Sequence, residues 1–227
     1  MPDPAPNSQL IPSLGRLVRG LSSLFWGLPL TLLVCVQTAR TDLFHTFNLF
    51  PPVLFIAWLL YGLWQLGYFQ RQERIWLRAL DRTRMLGLIS LGLAPFLYWW
   101  NQVPYNAFFS QMVMLLTVMA VLFLSELNLV LRRLGAMLPD ETLRLETRQF
   151  TTLNRTLLLL LLLLMAGYFV LNQFSILPLW VQLSLNTISR QGLWVLVFLV
   201  LLPLAMTMAL LWKIKEVILA SIFGTKI

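Results

Sequence analysis

Charge is scarce in this chain and unevenly signed. Of 227 residues, 11% are charged, with nine acids against seventeen lysines and arginines. There is one cysteine, Cys35, and one histidine, His45. A lone cysteine excludes an intramolecular disulfide. A lone histidine, with only Asp42 near it in sequence, excludes a His-Glu-x-x-His zinc pair and reads as a solvated or interfacial residue. Gly-rich phosphate loops and Gly-x-Ser-x-Gly elbows are absent too. So is a pair of intramembrane aspartates. No enzyme, cofactor or metal site is expected.

What the chain has instead is apolar length. Hydrophobic residues make up 59% and the mean hydropathy is +0.77. They fall in blocks near residues 20–38, 52–70, 85–101, 107–131, 156–177 and 192–212. A bilayer core of about 30 Å is crossed by roughly 20 mostly apolar helical residues. The blocks therefore predict an all-α polytopic membrane protein of six transmembrane helices, as three tandem hairpins. Residues 1–19, with Pro2, Pro4, Pro6 and Pro12, read as a flexible tail, and 213–227 as a terminal segment. The first block has Arg16 and Arg19 ahead of it, like a cleavable signal. Its length, Pro29 and the lack of a small-x-small site argue that it is retained.

The cations give an orientation. Twelve arginines, from Arg16 to Arg155, and the three lysines would lie on one side of a six-helix threading, leaving only Arg40 and Arg190 on the other. The positive-inside rule makes the rich side cytoplasmic. Both termini are then expected in the cytoplasm, with a bacterial plasma membrane as the default location. The net charge of +8 is accounted for by topology and by anionic headgroups. No basic folded module is present to bind nucleic acid. The sequon Asn154-Arg155-Thr156 falls on the cytoplasmic side, where it would not be used.

Two inner segments attract attention. Between residues 70 and 84, Arg74, Arg78 and Arg82 recur every four residues, while Trp76 and Leu80 mark another helix face. With Arg71, this reads as a basic amphipathic helix that contacts anionic lipid or a partner. The segment 132–155 contains a helix start at Pro139-Asp140-Glu141-Thr142, followed by Arg144 and Arg148, further candidates for lipid or partner contact. On the outer side, Tyr98, Trp99, Trp100, Tyr105, Phe108 and Phe109 form an aromatic belt. The leucine run 157–164 reads as lipid-compatible filler.

A weak echo links the odd-numbered blocks. Arg19, Arg84 and Arg155 are each followed eighteen residues later by a glutamine, namely Gln37, Gln102 and Gln173. Gln65, Glu126 and Thr207 each stand six residues before a cation. Glu126 is the one acid inside a membrane block and so a candidate functional group. Its expected counter-ions are Arg133, Arg71 or Lys213. Asn128 and Gln65 are its polar companions.

The expected function is a non-catalytic integral membrane subunit or scaffold, in contact with other membrane-protein subunits or with further copies of itself. The alternative is a small transporter or channel component with Glu126, Asn128 and Gln65 lining an inward-facing cavity.

Overall fold

A computed structural model describes residues 7–41, 47–69, 73–103, 105–138, 141–173 and 179–223. Helices account for nearly all of them: α1 (Asn7–Arg40), α2 (Phe50–Leu66), α3 (Arg74–Leu93), α4 (Pro95–Gln102), α5 (Ala107–Met137), α6 (Glu141–Gln173) and α7 (Leu179–Phe223). No strand occurs among the described residues. Four helical stretches are long and apolar enough to cross a membrane: Pro12–Arg40, Ala107–Met137, Arg144–Gly167 and Phe198–Ala220. The chain is thus an all-helical, membrane-embedded protein.

The remaining two blocks differ for local reasons. α2 has 17 residues, about 25 Å of helix, because it stops at Leu66 rather than running on to residue 70. The third block is interrupted at Pro95, which has no amide hydrogen to continue the ladder. There the Ala94 amide donates to the Leu91 carbonyl at 3.4 Å, and the Leu97 amide to Ala94 at 3.2 Å. These three-residue bonds tighten the turn and join α3 to α4 as one bent rod.

Outside the blocks, the helices run further than the hydropathy suggests. The segment expected to be a flexible tail to residue 19 is helical from Asn7, and Leu17 is fully buried. Proline at residue 12 is tolerated near a helix start, and Leu17, Leu21, Leu24 and Leu28 recur at helical spacing on one buried face. The second half of the inner segment 132–155 is likewise no loop: from Glu141 it is the first turns of α6. Two of the eight leucines in 157–164, Leu158 and Leu161, are buried with Val121 of α5, so the run is filler on one side only.

Helices that follow one another along the chain pack together, with α3 meeting α5 past the short α4, and α7 closes the ring by packing on α1. α4 leans on α1 and α5. The tightest crossing is between α1 and α2. A Cβ on Gly20 would lie 2.8 Å from the Gly62 carbonyl oxygen, and one on Gly62 would lie 3.2 Å from the Gly20 oxygen. Glycine at both positions lets two backbones touch, the usual way small residues join membrane helices.

The main core lies toward the basic ends of the helices. It brings Leu17 and Leu21 of α1, Leu63 and Leu66 of α2, and Trp76 and Leu80 of α3 against Leu127, Leu131 and Leu134 of α5 and Ile214 and Ile218 of α7. Trp76 is completely buried. This corrects its assignment as a lipid or partner contact: the face opposite the arginines turns into the bundle rather than onto a membrane surface. A smaller cluster at the other end joins Leu93, Leu97 and Leu116.

Candidate functional site

The polar side chains expected to share a cavity do not meet. Gln65 lies on an exposed part of α2, where its amide donates to the Tyr61 hydroxyl at 2.7 Å. Glu126 is half-buried and makes no hydrogen bond or ion pair with any described residue. Its expected partner Lys213 pairs instead with Glu146 of α6. Arg71, together with Asp42 and His45, lies outside the described residues. Arg74, Arg78 and Arg82 are exposed on α3, and Arg144 and Arg148 on α6, as a contact role requires.

Asn128 is the exception. It is 1% exposed and sits in a knot of polar groups between α5, α6 and α7. Its amide donates to the Leu124 carbonyl at 2.8 Å and to the Thr207 hydroxyl at 3.0 Å. Across the interface, the Asn154 amide donates to Asn128 Oδ1 at 3.1 Å, to the Pro203 carbonyl at 3.1 Å and to Thr207 Oγ1 at 2.9 Å. The Thr207 hydroxyl donates in turn to the Pro203 carbonyl at 2.8 Å. Buried amides without partners would each cost about 1–3 kcal/mol; joined in this way they lock three helices together.

Asn154 is the residue that sequence reading missed. It entered only as a sequon, while the reading of that segment rested on the helix start at 139–142 and on Arg144 and Arg148. The available signal was a polar stripe on α6, Thr147, Thr151 and Asn154, at the one-face spacing of a helix. All three are buried, none more than 1% exposed.

The register of α5 against α6 follows from two contacts. Asn128 bonds Asn154, and a Cβ on Gly135 would lie 3.1 Å from both Oγ1 and Cγ2 of Thr147. Seven residues separate the members on each helix, so the pair is antiparallel and Leu131 stands opposite Thr151. At the rim of this seam lies the Glu146–Lys213 ion pair, half-exposed on both sides.

A second polar anchor joins α2 and α3. Arg84 donates to the Leu63 carbonyl at 3.1 Å and to Asp81 at 3.1 Å, and its guanidinium lies 5.9 Å from the centre of the Trp64 ring. The cation thereby caps the carbonyl end of α2. Gly67 makes room for it, since a Cβ there would fall 2.0 Å from Arg84 Nη2. Arg19 and Arg155, which echo Arg84 in the sequence, are exposed, so the three arginines occupy unlike environments.

The outer surface carries two features. On α2, Leu54, Trp58, Tyr61 and Trp64 form an exposed stripe that Tyr68 continues in the turn beyond the helix end. On α6, Leu145, Arg148, Thr152, Leu153 and Leu157 line an open groove of about 710 Å³. Every residue lining that groove belongs to α6, so it is the free face of one helix and not an enclosed site. No group of three or more metal-ligating side chains occurs among the described residues.

The chain matches no protein-family model, no curated protein sequence and no solved structure.

Proposed function

We propose that this protein is a non-catalytic integral membrane subunit that holds a transmembrane helix of another membrane protein against the α2 stripe. The observation that carries the reading is the stripe itself. Trp58, Tyr61 and Trp64 are exposed along the length of α2, and the Tyr61–Gln65 hydrogen bond lies on the same surface. Facing lipid tails, a tyrosine hydroxyl and a glutamine amide retain unmet hydrogen-bonding capacity, which hydrocarbon cannot satisfy. A neighbouring helix can satisfy it, and aromatic side chains are enriched at such contacts. The interior supports the same reading, because the amides of Asn128 and Asn154 and the Thr207 hydroxyl bind one another across three helices.

In this reading the chain threads the membrane six times. α2 and the bent α3–α4 rod complete the set begun by the four long apolar helices. The arginine-rich ends face the cytoplasm, with both termini on that side of a bacterial plasma membrane. Arg74, Arg78 and Arg82 on α3, with Arg144 and Arg148 on α6, then lie at the level of anionic headgroups, each worth about 1 kcal/mol of attraction near such a surface.

The test is gentle extraction of the tagged chain followed by native mass measurement, beside a variant carrying Trp58→Leu and Tyr61→Leu. The expected result is a stoichiometric complex with a different chain that the double variant loses while its thermal stability is kept. A single species of unchanged mass in both proteins would refute the reading. A complex of identical copies that dissociates in the variant would overturn the hetero-partner and keep the stripe as the interface.

A further inference from the structure

We infer that the helix seated on the α2 stripe carries an aspartate or glutamate at the basic end of its span, paired with Arg16. The inference rests on the reading of the stripe given above and names what the partner brings to it. At that end of the stripe two cations lie against aromatic rings. The Arg16 guanidinium is 4.8 Å from the centre of the Tyr68 ring, and that of Arg84 is 5.9 Å from the Trp64 ring. They differ in what else they hold. Arg84 is largely covered, donates to the Leu63 carbonyl and pairs with Asp81. Arg16 is exposed and forms no ion pair among the described residues. Its own helix and α2 supply no counter-ion, because neither contains an aspartate or glutamate. A ring face orients a guanidinium without neutralising it, so the charge at this end of the stripe is uncompensated.

The tight crossing of α1 and α2 fixes where Arg16 stands. Gly20 approaches Gly62, Gly27 approaches Leu59, and the Thr31 hydroxyl donates to the Phe55 carbonyl at 3.3 Å. These pairs advance in opposite senses along the two helices, so the helices are antiparallel. Arg16 is four residues before Gly20, one turn away on the same side of α1, and so falls beside Tyr68.

A helix that covers Tyr61 and Gln65 and continues along α2 passes this cation. Seven residues separate Tyr61 from Tyr68, about 10 Å of helix. There the occupant displaces water and headgroups from the guanidinium. A cation stripped of water and left unpaired is costly. A carboxylate opposite it satisfies two parallel N–H donors at once, whereas a serine or an amide accepts one bond and leaves the charge uncompensated. Arginine, tyrosine and tryptophan also dominate binding energy at protein contacts, and this end of the stripe is built from those three.

The chemistry favours a different chain over other occupants. A second copy meeting the first stripe to stripe brings no acid, since α1 and α2 have none. A phospholipid phosphate meets Arg16 only where lipid also covers Tyr61 and Gln65, whose remaining hydrogen bonds hydrocarbon cannot satisfy. The partner helix then has a readable signature. It carries a polar side chain facing Tyr61 and Gln65, and an acid roughly four or seven residues nearer its end on the same face.

The experiment uses the full chain in its gently extracted complex, read by native mass. Arg16→Glu and Arg16→Lys are compared with the unaltered protein and with Arg148→Glu, a remote control on α6. All three should fold, since both arginines are exposed. Arg16→Glu should weaken the complex at least about tenfold, Arg16→Lys by less because it keeps the charge and loses the planar fork, and Arg148→Glu not at all. In the co-extracted chain, lysine in place of the acid should abolish the complex with the unaltered protein and restore it with Arg16→Glu. Restoration requires the two charges to face one another. A complex that survives Arg16→Glu, or that no acid-to-lysine change restores, would overturn the pairing and leave the stripe as the interface. Loss of a bound phospholipid from Arg16→Glu with the protein partner kept would assign the arginine to a headgroup and overturn it too. An unaltered protein that extracts alone would refute the reading of the stripe, and the pairing with it.

Discussion

Alanine at Gly20 should destabilise this protein, whereas alanine at Gly15, five residues earlier on the same helix, should not. At Gly20 the added Cβ would lie 2.6 Å from Leu66 Cδ1, 2.8 Å from the Gly62 carbonyl oxygen and 3.1 Å from Gln65 Cβ. A leucine tip can rotate aside, but a backbone carbonyl inside a helix cannot. The two helices must therefore separate by several tenths of an ångström along their tightest crossing, loosening Leu21, Leu24 and Leu63 around it. Overpacking of this kind costs about 1–3 kcal/mol. Propensity works the other way, since alanine is worth about 1 kcal/mol over glycine in a helix interior. At Gly15 only the second effect operates, because nothing lies within 4 Å of an added Cβ. For a chain of this size, 1 kcal/mol moves the midpoint by about 2–4 °C. The net cost of Gly20→Ala is about 0–2 kcal/mol, so its midpoint should fall by up to about 8 °C, while Gly15→Ala stays level or rises. Cys35 supplies the assay: it is the single cysteine and is partly buried, so a thiol-reactive fluorophore reports unfolding on heating. Equal midpoints for the two alanine variants would refute the close crossing.

Three further expectations use the same readout. Asn154→Leu removes the donor to Asn128 Oδ1, Pro203 O and Thr207 Oγ1, and stability should fall by about 1–3 kcal/mol; a neutral effect would mean that the knot is not closed. Gly67→Ala should displace the Arg84 guanidinium from the Leu63 carbonyl, and Arg84→Met should remove it. Each should cost about 1–2 kcal/mol, and the double variant should cost no more than the larger single, because the two share one interaction; full additivity would contradict the geometry. Trp76→Ala should cost about 3–5 kcal/mol with no change in binding to vesicles containing anionic lipid, whereas Arg74→Ala with Arg78→Ala should weaken that binding and leave stability unaltered; a weakened vesicle affinity for the tryptophan variant would return that side chain to the surface.

Helical class and membrane character were legible from block hydropathy, because apolar runs of spanning length have few other fates. Element ends were legible only in part. The helix start read from the acids at 139–142 matches α6 at Glu141. But the inward face of its first turns is the polar Thr147, Thr151 and Asn154, while Leu145, Phe150 and Leu153 are exposed, so hydropathy did not mark those turns as part of the packed helix. Asn128 was singled out for company with Glu126, the more conspicuous residue because it carries charge, and not for the interhelical bonds it makes. A charged group near a helix end can reach water alone; a neutral amide at full burial cannot, and so it was Asn128 that the fold had to satisfy. Its partners Asn154 and Thr207 come from 26 and 79 residues away, a pairing that no local pattern encodes. The Gly20–Gly62 crossing was equally hidden, since which of several glycines meet depends on helix register. Trp76 shows the reverse: the four-residue spacing of the arginines separated two faces properly, and only the destination of the second face was misjudged.

The closure of the ring by α7 on α1 has a consequence for synthesis. α1 packs on α2, made next, but the flank of α1 on which Phe25 meets Trp212 of α7, with ring centres 5.6 Å apart, has no such cover until α7 emerges. At about 5–20 residues per second, the stretch between them leaves that flank bare for roughly 10–40 s. During that interval the nascent bundle is an open crescent in which α1 and later α6 display unsatisfied edges, among them Asn154 without Thr207. A newly made chain is then most vulnerable to quality-control proteases, and most receptive to a membrane chaperone, in the seconds before its final helix arrives.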